Sequence, residues 1–180
     1  MTANFPVLET PRLILRPPLP EDLPGFIAFS ADPEAARYLG GVAAPSEVWR
    51  AVRMFIGCWV ADGFGMFSVL EKASGRWIGR VGPWQPLDWP GTEFGWGLLP
   101  DACGQGYATE AAAASMDWAV NTLGWTDLIH CIDPANTPSQ RVAQRLGAIN
   151  RGPGKLPPPA HNATIEIWGQ SAAQWRARGR

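Results

Sequence analysis

Two glycines one residue apart, Gly104 and Gly106, lie between a short apolar run and a stretch of strong helix formers. The apolar run, residues 94–99, predicts a buried strand, and the alanine-rich residues 108–123 predict a helix. The first N–H groups of a helix lack intrahelical partners and carry partial positive charge, and glycines let a bulky anion approach the main chain closely. The spacing therefore predicts a loop that binds a phosphorylated ligand.

Two other phosphate-binding patterns fit the chain less well. A P-loop requires Gly-x-x-x-x-Gly-Lys-Ser/Thr, which the sequence lacks. A dinucleotide-binding fingerprint requires Gly-x-Gly-x-x-Gly followed by an acidic residue about twenty positions later. Asp127 lies near that distance, but Thr109 occupies the third glycine position.

The composition narrows the class of protein to a cytosolic enzyme or binding protein. The chain has 180 residues, of which 46% are hydrophobic, so we expect one domain, residues 1–180, with a single core. A net charge of −1 gives no basic footprint for nucleic acid or an anionic membrane. No apolar run approaches the roughly 18 residues of a membrane span, and the N-terminus lacks a signal-peptide pattern. Three scattered cysteines and two histidines show no zinc spacing, so we expect no metal.

The order of predicted elements indicates a mixed α/β fold. An opening strand at residues 13–15 precedes two helices, the second beginning near Ser46, and a hairpin follows at residues 65–71 and 77–81. Residues 82–91 predict a loop, and the chain then reads strand, helix, strand, helix, strand. Thr137 is predicted to cap the second of these helices, and the arginines at 176, 178 and 180 to form a frayed basic tail. We therefore expect a mostly antiparallel central sheet flanked by helices. Four tryptophans either fill its core or wall an apolar cavity: Trp77, Trp84, Trp89 and Trp96.

Three blocks of the sequence, in the expected order, resemble the GNAT acetyltransferases. Residues 103–108, CGQGYA, resemble that family's Gln/Arg-x-x-Gly-x-Gly/Ala loop, and GQGYATEA is typical of its RimJ/RimL-like branch. LETPRLILRP at residues 8–17 is similar to the opening strand of that branch. Asn136 to Ser139, together with residues 146–148 (LGA), resembles its Asn-x-x-Ser…Leu-Gly-Phe motif. One departure is Cys103, which stands where the family has Gln or Arg and is interpreted as an incidental neutral thiol.

The resemblance implies the GNAT fold, with acetyl-coenzyme A bound between two splayed central strands. Strand backbone groups would bind the pantetheine arm, and loop N–H groups would hold the pyrophosphate. Asn136 would orient the arm, unless it is only a cap or turn residue. The cofactor-binding residues implied are Trp96, Leu98, Leu99, Cys103, Gly104, Gln105, Gly106, Tyr107, Ala108, Thr109 and Asn136.

The implied reaction is direct transfer of acetyl to a primary amine. Glu93 is the candidate base, because the branch often has Glu at this place; otherwise it is a charge at a strand edge. The family's proton-donating tyrosine aligns with Ala143, so Ser139 is the candidate substitute, or else a first-turn polar residue. A strand N–H at Leu98 or Leu99 would stabilise the oxyanion.

The acceptor is expected to be a small amine or, preferentially, a peptide or protein N-terminus, and neither nucleic acid nor membrane is an expected partner. The sequence leaves a monomer or a homodimer open. The alternative function is a coenzyme A-binding sensor without turnover, which the missing tyrosine and the Cys103 change suggest.

Overall fold

Eight strands form one sheet, and helices cover both of its faces. The computed structural model describes residues 5–178. The strands are β1 (Leu8–Glu9), β2 (Leu13–Arg16), β3 (Phe67–Glu71), β4 (Trp77–Trp84), β5 (Glu93–Leu98), β6 (Asp127–Ile132), β7 (Ile149–Gly154) and β8 (Ile165–Ser171). The helices are α1 (Leu23–Ala31), α2 (Pro33–Ala36), α3 (Pro45–Ala61), α4 (Tyr107–Trp118, continued by a π turn at Ala119–Leu123), α5 (Thr137–Leu146) and α6 (Ala172–Ala177). The expected mixed α/β class with a mostly antiparallel sheet is confirmed.

The strand order is β1-β2-β3-β4-β5-β6-β8-β7, and one neighbouring pair differs from the others. β5 and β6 are parallel and pair at one position, Glu93 with Ile129. By contrast, β4 and β5 pair over residues 79–84 and 93–98, and β6 pairs with β8 over its whole length. The two central strands therefore separate after Glu93, as the resemblance implied.

The two largest of three hydrophobic clusters among the described residues lie on opposite faces of the sheet. The alternating residues Leu13 and Leu15 of β2 and Phe67 and Val69 of β3 are buried on the α4 face, because successive side chains in a strand point to opposite faces. On the other face, α1 and α3 pack through Phe26, Val48, Val52, Phe55 and Trp77. In α3 the buried residues recur at three- and four-residue spacing, as expected for an amphipathic helix. Within residues 5–178, no helix is both long and apolar enough to cross a membrane.

The predicted loop at residues 82–91 is wrong in its first part, because β4 continues through Pro83 to Trp84. β3 stops pairing with β4 at Val81, whereas β5 pairs with β4 as far as Trp84. Pro83 therefore lies where one side of β4 has no neighbouring strand, and a missing N–H is tolerated at such positions.

Two terminal features also differ from the predictions. Asn136, rather than Thr137, caps α5: its side-chain oxygen accepts a hydrogen bond from the N–H of Ser139 at 3.2 Å, and Thr137 is the first helical residue. Arg176 lies in the short helix α6 and Arg178 follows it, so the prediction of a frayed tail is wrong for both residues. The Ser171 side chain caps the start of α6. Arg180 lies outside the described residues.

Candidate functional site

The loop between β5 and α4 exposes a continuous row of backbone N–H groups. Gly104 (φ +75°) and Gly106 (φ +83°) both adopt the left-handed conformation that favours glycine. Within residues 5–178, none of the six N–H groups from Gly104 to Thr109 donates to a protein acceptor, and the first helical bond is from Glu110 N–H to Gly106 O. Six adjacent donors on an exposed loop at a helix N-terminus form a site suited to an anion.

The opening strands anchor this loop through one ion pair. The Glu110 carboxylate accepts hydrogen bonds from Thr10 Oγ at 2.6 Å, from Arg12 N–H at 3.1 Å and from Arg12 Nε at 2.7 Å. Arg12 Nη1 also donates to the carbonyl of Gln105 at 2.9 Å. Burial opposes ionisation of Glu110, but these hydrogen bonds lower its pKa below the ordinary value. The two sequence blocks around Thr10 and Glu110, a hundred residues apart, therefore form one structural unit that fixes the loop.

Side chains join β5 and β6 where the two strands begin to separate. Glu93 is 7% exposed; its Oε1 accepts a hydrogen bond from Cys131 N–H at 3.1 Å, and its Oε2 accepts one from Trp89 Nε1 at 2.5 Å. His130 Nδ1 lies 2.9 Å from Phe94 O, so this ring also bridges the two strands. Burial raises the pKa of Glu93. The hydrogen bonds from Cys131 and Trp89 and the positive charge of Arg80 lower it, but by less than burial raises it. Beyond these contacts, residues 94–98 of β5 have no strand partner in β6, and the region between the two unpaired edges is called the slot.

The direction of the β5 backbone decides which of its groups face the slot. Leu99 N–H donates to Ile78 O of β4 at 2.9 Å, so it is committed to the sheet. Because backbone groups of successive residues in an antiparallel strand point to opposite sides, those of Leu98 and Trp96 point toward the slot. Of the two residues named for the oxyanion contact, Leu98 is therefore the one whose N–H can serve.

Three of the predicted site residues meet at the open end of the slot. Trp96 Nε1 donates to Ser139 Oγ at 3.2 Å, and Asn136 caps the helix that carries Ser139. The Trp96 ring also packs on the His130 ring, with 4.8 Å between centroids. His130 is buried, burial lowers its pKa to about 4, and within residues 5–178 its Nε2 has no hydrogen-bond partner. Ala143, at the position of the family tyrosine, is fully buried on the inner face of α5.

Cys103 begins the loop but does not have the character of a nucleophile. Its thiol points to the Leu99 carbonyl at 3.5 Å, and burial, assisted by the negative charge of Asp101, raises its pKa. A thiol in that environment stays protonated at neutral pH.

Two contacts near the slot were missed from the sequence. Trp89 binds the Glu93 carboxylate from the loop after β4, and Tyr38 Oη donates to Ala135 O at 3.1 Å, next to Asn136. The four tryptophans do not form one wall: Trp77 is buried in the α1–α3 core, and Trp96 lies at the slot. The contact of Trp89 could have been predicted, because this tryptophan lies only four residues before the predicted base. The contact of Tyr38 with Ala135 joins residues 97 positions apart, so no local pattern in the sequence indicates it.

Comparison with known proteins agrees with this arrangement. Residues 12–149 match the model of the family described as acetyltransferase (GNAT) domain. The chain belongs to this family. Its relatives include the uncharacterized N-acetyltransferase YnaD of Bacillus subtilis (strain 168), 24% identical over 145 residues that cover 81% of this chain and 84% of that protein. The uncharacterized protein YkkB of the same strain is 32% identical over 87 residues, or 47% of this chain, and the match spans about half (51%) of YkkB.

Solved structures of GNAT enzymes share the fold. An acetyltransferase from Agrobacterium tumefaciens str. C58 has a TM-score of 0.80 at 30% identity, with 94% of this chain and 96% of that chain covered. A putative ribosomal-protein-serine acetyltransferase from Vibrio cholerae has a TM-score of 0.78 at 21% identity, with 95% and 99% covered. At 21% identity the second likeness shows the fold alone.

Proposed function

We propose that this GNAT-family chain transfers acetyl from acetyl-coenzyme A to a primary amine, preferentially the α-amine of a peptide or protein N-terminus. The observation that carries the proposal is the row of six unpartnered N–H groups from Gly104 to Thr109 beside the slot between β5 and β6. These N–H groups would hold the diphosphate, and the backbone of Trp96 and Leu98 would bind the pantetheine arm. Acetyl-coenzyme A supplies an activated acetyl group as a thioester.

Glu93 would receive the proton of the acceptor amine, directly or through one water. Its raised pKa favours this role, because a base is most effective when its pKa approaches the working pH. On β5, Glu93, Gly95 and Gly97 share one face of the strand. Met66 and Phe29 pack against the two glycines, which places Glu93 on the α1–α3 face of the sheet.

Ser139 would donate a proton to the departing sulfur. Its Oγ accepts a hydrogen bond from Trp96 Nε1, so the hydroxyl hydrogen stays available for a second partner. The Leu98 N–H would stabilise the negative charge that develops on the acetyl oxygen. The proposed proton donor is therefore a hydroxyl whose hydrogen the contact with Trp96 does not use.

The preference for an α-amine has a thermodynamic reason. Only a neutral amine attacks a thioester, and an α-amine with a pKa near ~8 is neutral about a tenth of the time at pH 7. A lysine side chain with a pKa near ~10.4 requires roughly 3 kcal/mol more for deprotonation. We place the activity in the cytoplasm, where the three free cysteines would stay reduced.

Release of free thiol tests the proposal. The protein is mixed with acetyl-coenzyme A and a panel of N-terminal peptides, small amines and lysine analogues, and thiol is followed over time. Acetyl transfer predicts acceptor-dependent thiol release, fastest with α-amines. Binding of coenzyme A without thiol release across the panel would instead favour a sensor that lost turnover, an alternative that Ala143 and Cys103 at two family positions suggest.

A further inference from the structure

Arg80 is a charged residue in the middle of a strand that is otherwise apolar. It lies in β4 and pairs with Gly97 of β5, so its side chain shares the face of the sheet on which Glu93, Gly95 and Gly97 lie. Its guanidinium lies 5.3 Å from the centroid of the Phe55 ring of α3, which confirms that it points toward the α1–α3 side. That is the side on which the amine acceptor of Glu93 would bind.

Among the described residues, no carboxylate forms an ion pair with the guanidinium of Arg80, and Glu93 is a nearby negative charge that does not contact it. Within residues 5–178, two arginines are not exposed, Arg16 and Arg80. Arg16 forms a bidentate ion pair with Asp22, with both contacts at 2.7 Å, whereas the Arg80 side chain has neither an ion pair nor a hydrogen bond within that part of the chain. Burial lowers the pKa of Arg80 to about 10, and the negative charge of Glu93 acts against that change. Because no described residue accepts a hydrogen bond from its N–H groups, Arg80 is able to bind an anion from outside the chain.

The surroundings of Arg80 specify the shape of that anion. The guanidinium carbon of Arg80 lies 5.3 Å from the centroid of the Phe55 ring, and within residues 5–178 the N–H groups along the edge of the planar guanidinium have no hydrogen-bond acceptor. Two parallel hydrogen bonds from such an edge match a carboxylate. Glu93 lies on the same face of the sheet, and its charge acts on Arg80 without an ion pair between them, so the two charges suit opposite ends of a ligand that carries both an amine and a carboxylate.

We propose that Arg80 binds a carboxylate of the acceptor, and that the acceptors are therefore primary amines that also carry a carboxylate. This inference rests on the proposed acetyl transfer to an amine. The carboxylate has two sources: the α-carboxylate of a free amino acid, or an acidic side chain at the start of a peptide. Both present the same planar group to Arg80.

Matched pairs of acceptors distinguish the two sources of the carboxylate. One pair is a C-terminally amidated tripeptide beginning with Glu against the same peptide beginning with Gln, and the other is leucine against leucinamide. Thiol release gives kcat/KM for each acceptor, and calorimetry with saturating coenzyme A gives its Kd. The variants are Arg80→Gln, Arg80→Lys and, as a control, Arg53→Gln, because Arg53 also lies 5.3 Å from an aromatic ring but on the exposed side of α3. Each pair is compared in two proteins, so differences in amine pKa cancel.

We expect the wild type to prefer the carboxylate member of at least one pair by about tenfold to a hundredfold, as for hydrogen bonds between charged groups. Arg80→Gln abolishes that preference, Arg80→Lys keeps part of it, and Arg53→Gln leaves it unchanged. Ratios of kcat/KM and Kd within both pairs that are the same in the wild type and in Arg80→Gln overturn the inference. Thiol release without discrimination leaves acetyl transfer standing and removes the role of Arg80. Discrimination in Kd without thiol release supports the role of Arg80 and removes acetyl transfer.

Discussion

Replacing Gly104 by alanine tests two properties of the loop: its backbone conformation, which affects stability, and its contacts with the ligand, which affect binding. Gly104 has φ +75°, and a Cβ added there meets nothing within 4 Å. Forcing an alanine into this left-handed conformation costs about 1–2 kcal/mol of folding free energy. For a domain of this size that corresponds to a decrease in Tm of about 2–8 °C. In addition, the new methyl group occupies open space next to the row of N–H groups.

Gly63→Ala is a matched control for this change. Gly63 has φ +76°, a Cβ there also meets nothing within 4 Å, and the residue lies in the turn between α3 and β3. The two variants should therefore lose similar stability in thermal unfolding. Loss of one hydrogen bond to a charged phosphate, worth about 1.5–3 kcal/mol, would raise the Kd of coenzyme A by roughly 10- to 150-fold in Gly104→Ala alone.

Calorimetric titration of coenzyme A into both variants and the wild type provides the measurement. Equal Kd values for Gly104→Ala and Gly63→Ala, at matched losses of Tm, would refute the assignment of the diphosphate to this loop. A larger Kd in both variants would show that global destabilisation, and not contact with the loop, controls affinity.

Three further changes probe the slot and the loop anchor. Glu93→Gln should lower kcat/KM mainly below neutral pH, where few amines are neutral without help; an unchanged pH–rate profile would exclude Glu93 as the base. Because burial raises the native pKa of Glu93, its contribution to stability is present below the unfolded pKa of about 4.3 and is lost as pH rises through the native pKa. Urea unfolding should therefore show the stability of Glu93→Gln improving relative to wild type as pH rises through that window, and a constant difference would contradict the raised pKa. Ser139→Ala should reduce kcat by about 100-fold with the Kd of coenzyme A unchanged, and a normal kcat in steady-state assays would exclude Ser139 as the proton donor. Arg12→Gln removes the bonds to Glu110 and to the Gln105 carbonyl, so we expect KM for acetyl-coenzyme A to rise roughly tenfold at constant kcat; a fall in kcat alone would contradict the anchoring role.

The parts of the fold that depend on local sequence were predictable. The strand that leads into the glycine loop was expected at residues 94–99 and is Glu93–Leu98, and the helix after it begins at Tyr107. Apolar alternation, helix propensity and paired glycines are all properties of neighbouring residues, so the sequence alone indicates them. The β4 extension through Pro83 was missed because it depends on pairing with β5, which local propensity does not encode.

The candidate site likewise has some features that local sequence predicts and others that depend on contacts between distant residues. The free N–H groups of the loop follow from the helix start, whereas the contacts of Glu93 with Trp89 and Cys131 depend on how two strands separate. Arg80 was overlooked although it left a signal, since a charged residue inside the apolar run WIGRV is uncommon in a buried strand. What could not be predicted is the lack of a partner for that charge, because ion pairing depends on residues distant in sequence.

The most direct test of the central claim follows the individual backbone amides of the loop during a titration with coenzyme A. Amide ¹H–¹⁵N NMR spectra of the labelled protein report each N–H group separately. If Gly104 to Thr109 hold the diphosphate, their resonances shift most and their hydrogen exchange slows, while those of the turn at Gly63 stay in place. Saturation with coenzyme A that leaves the six loop amides unshifted and unprotected would contradict the account.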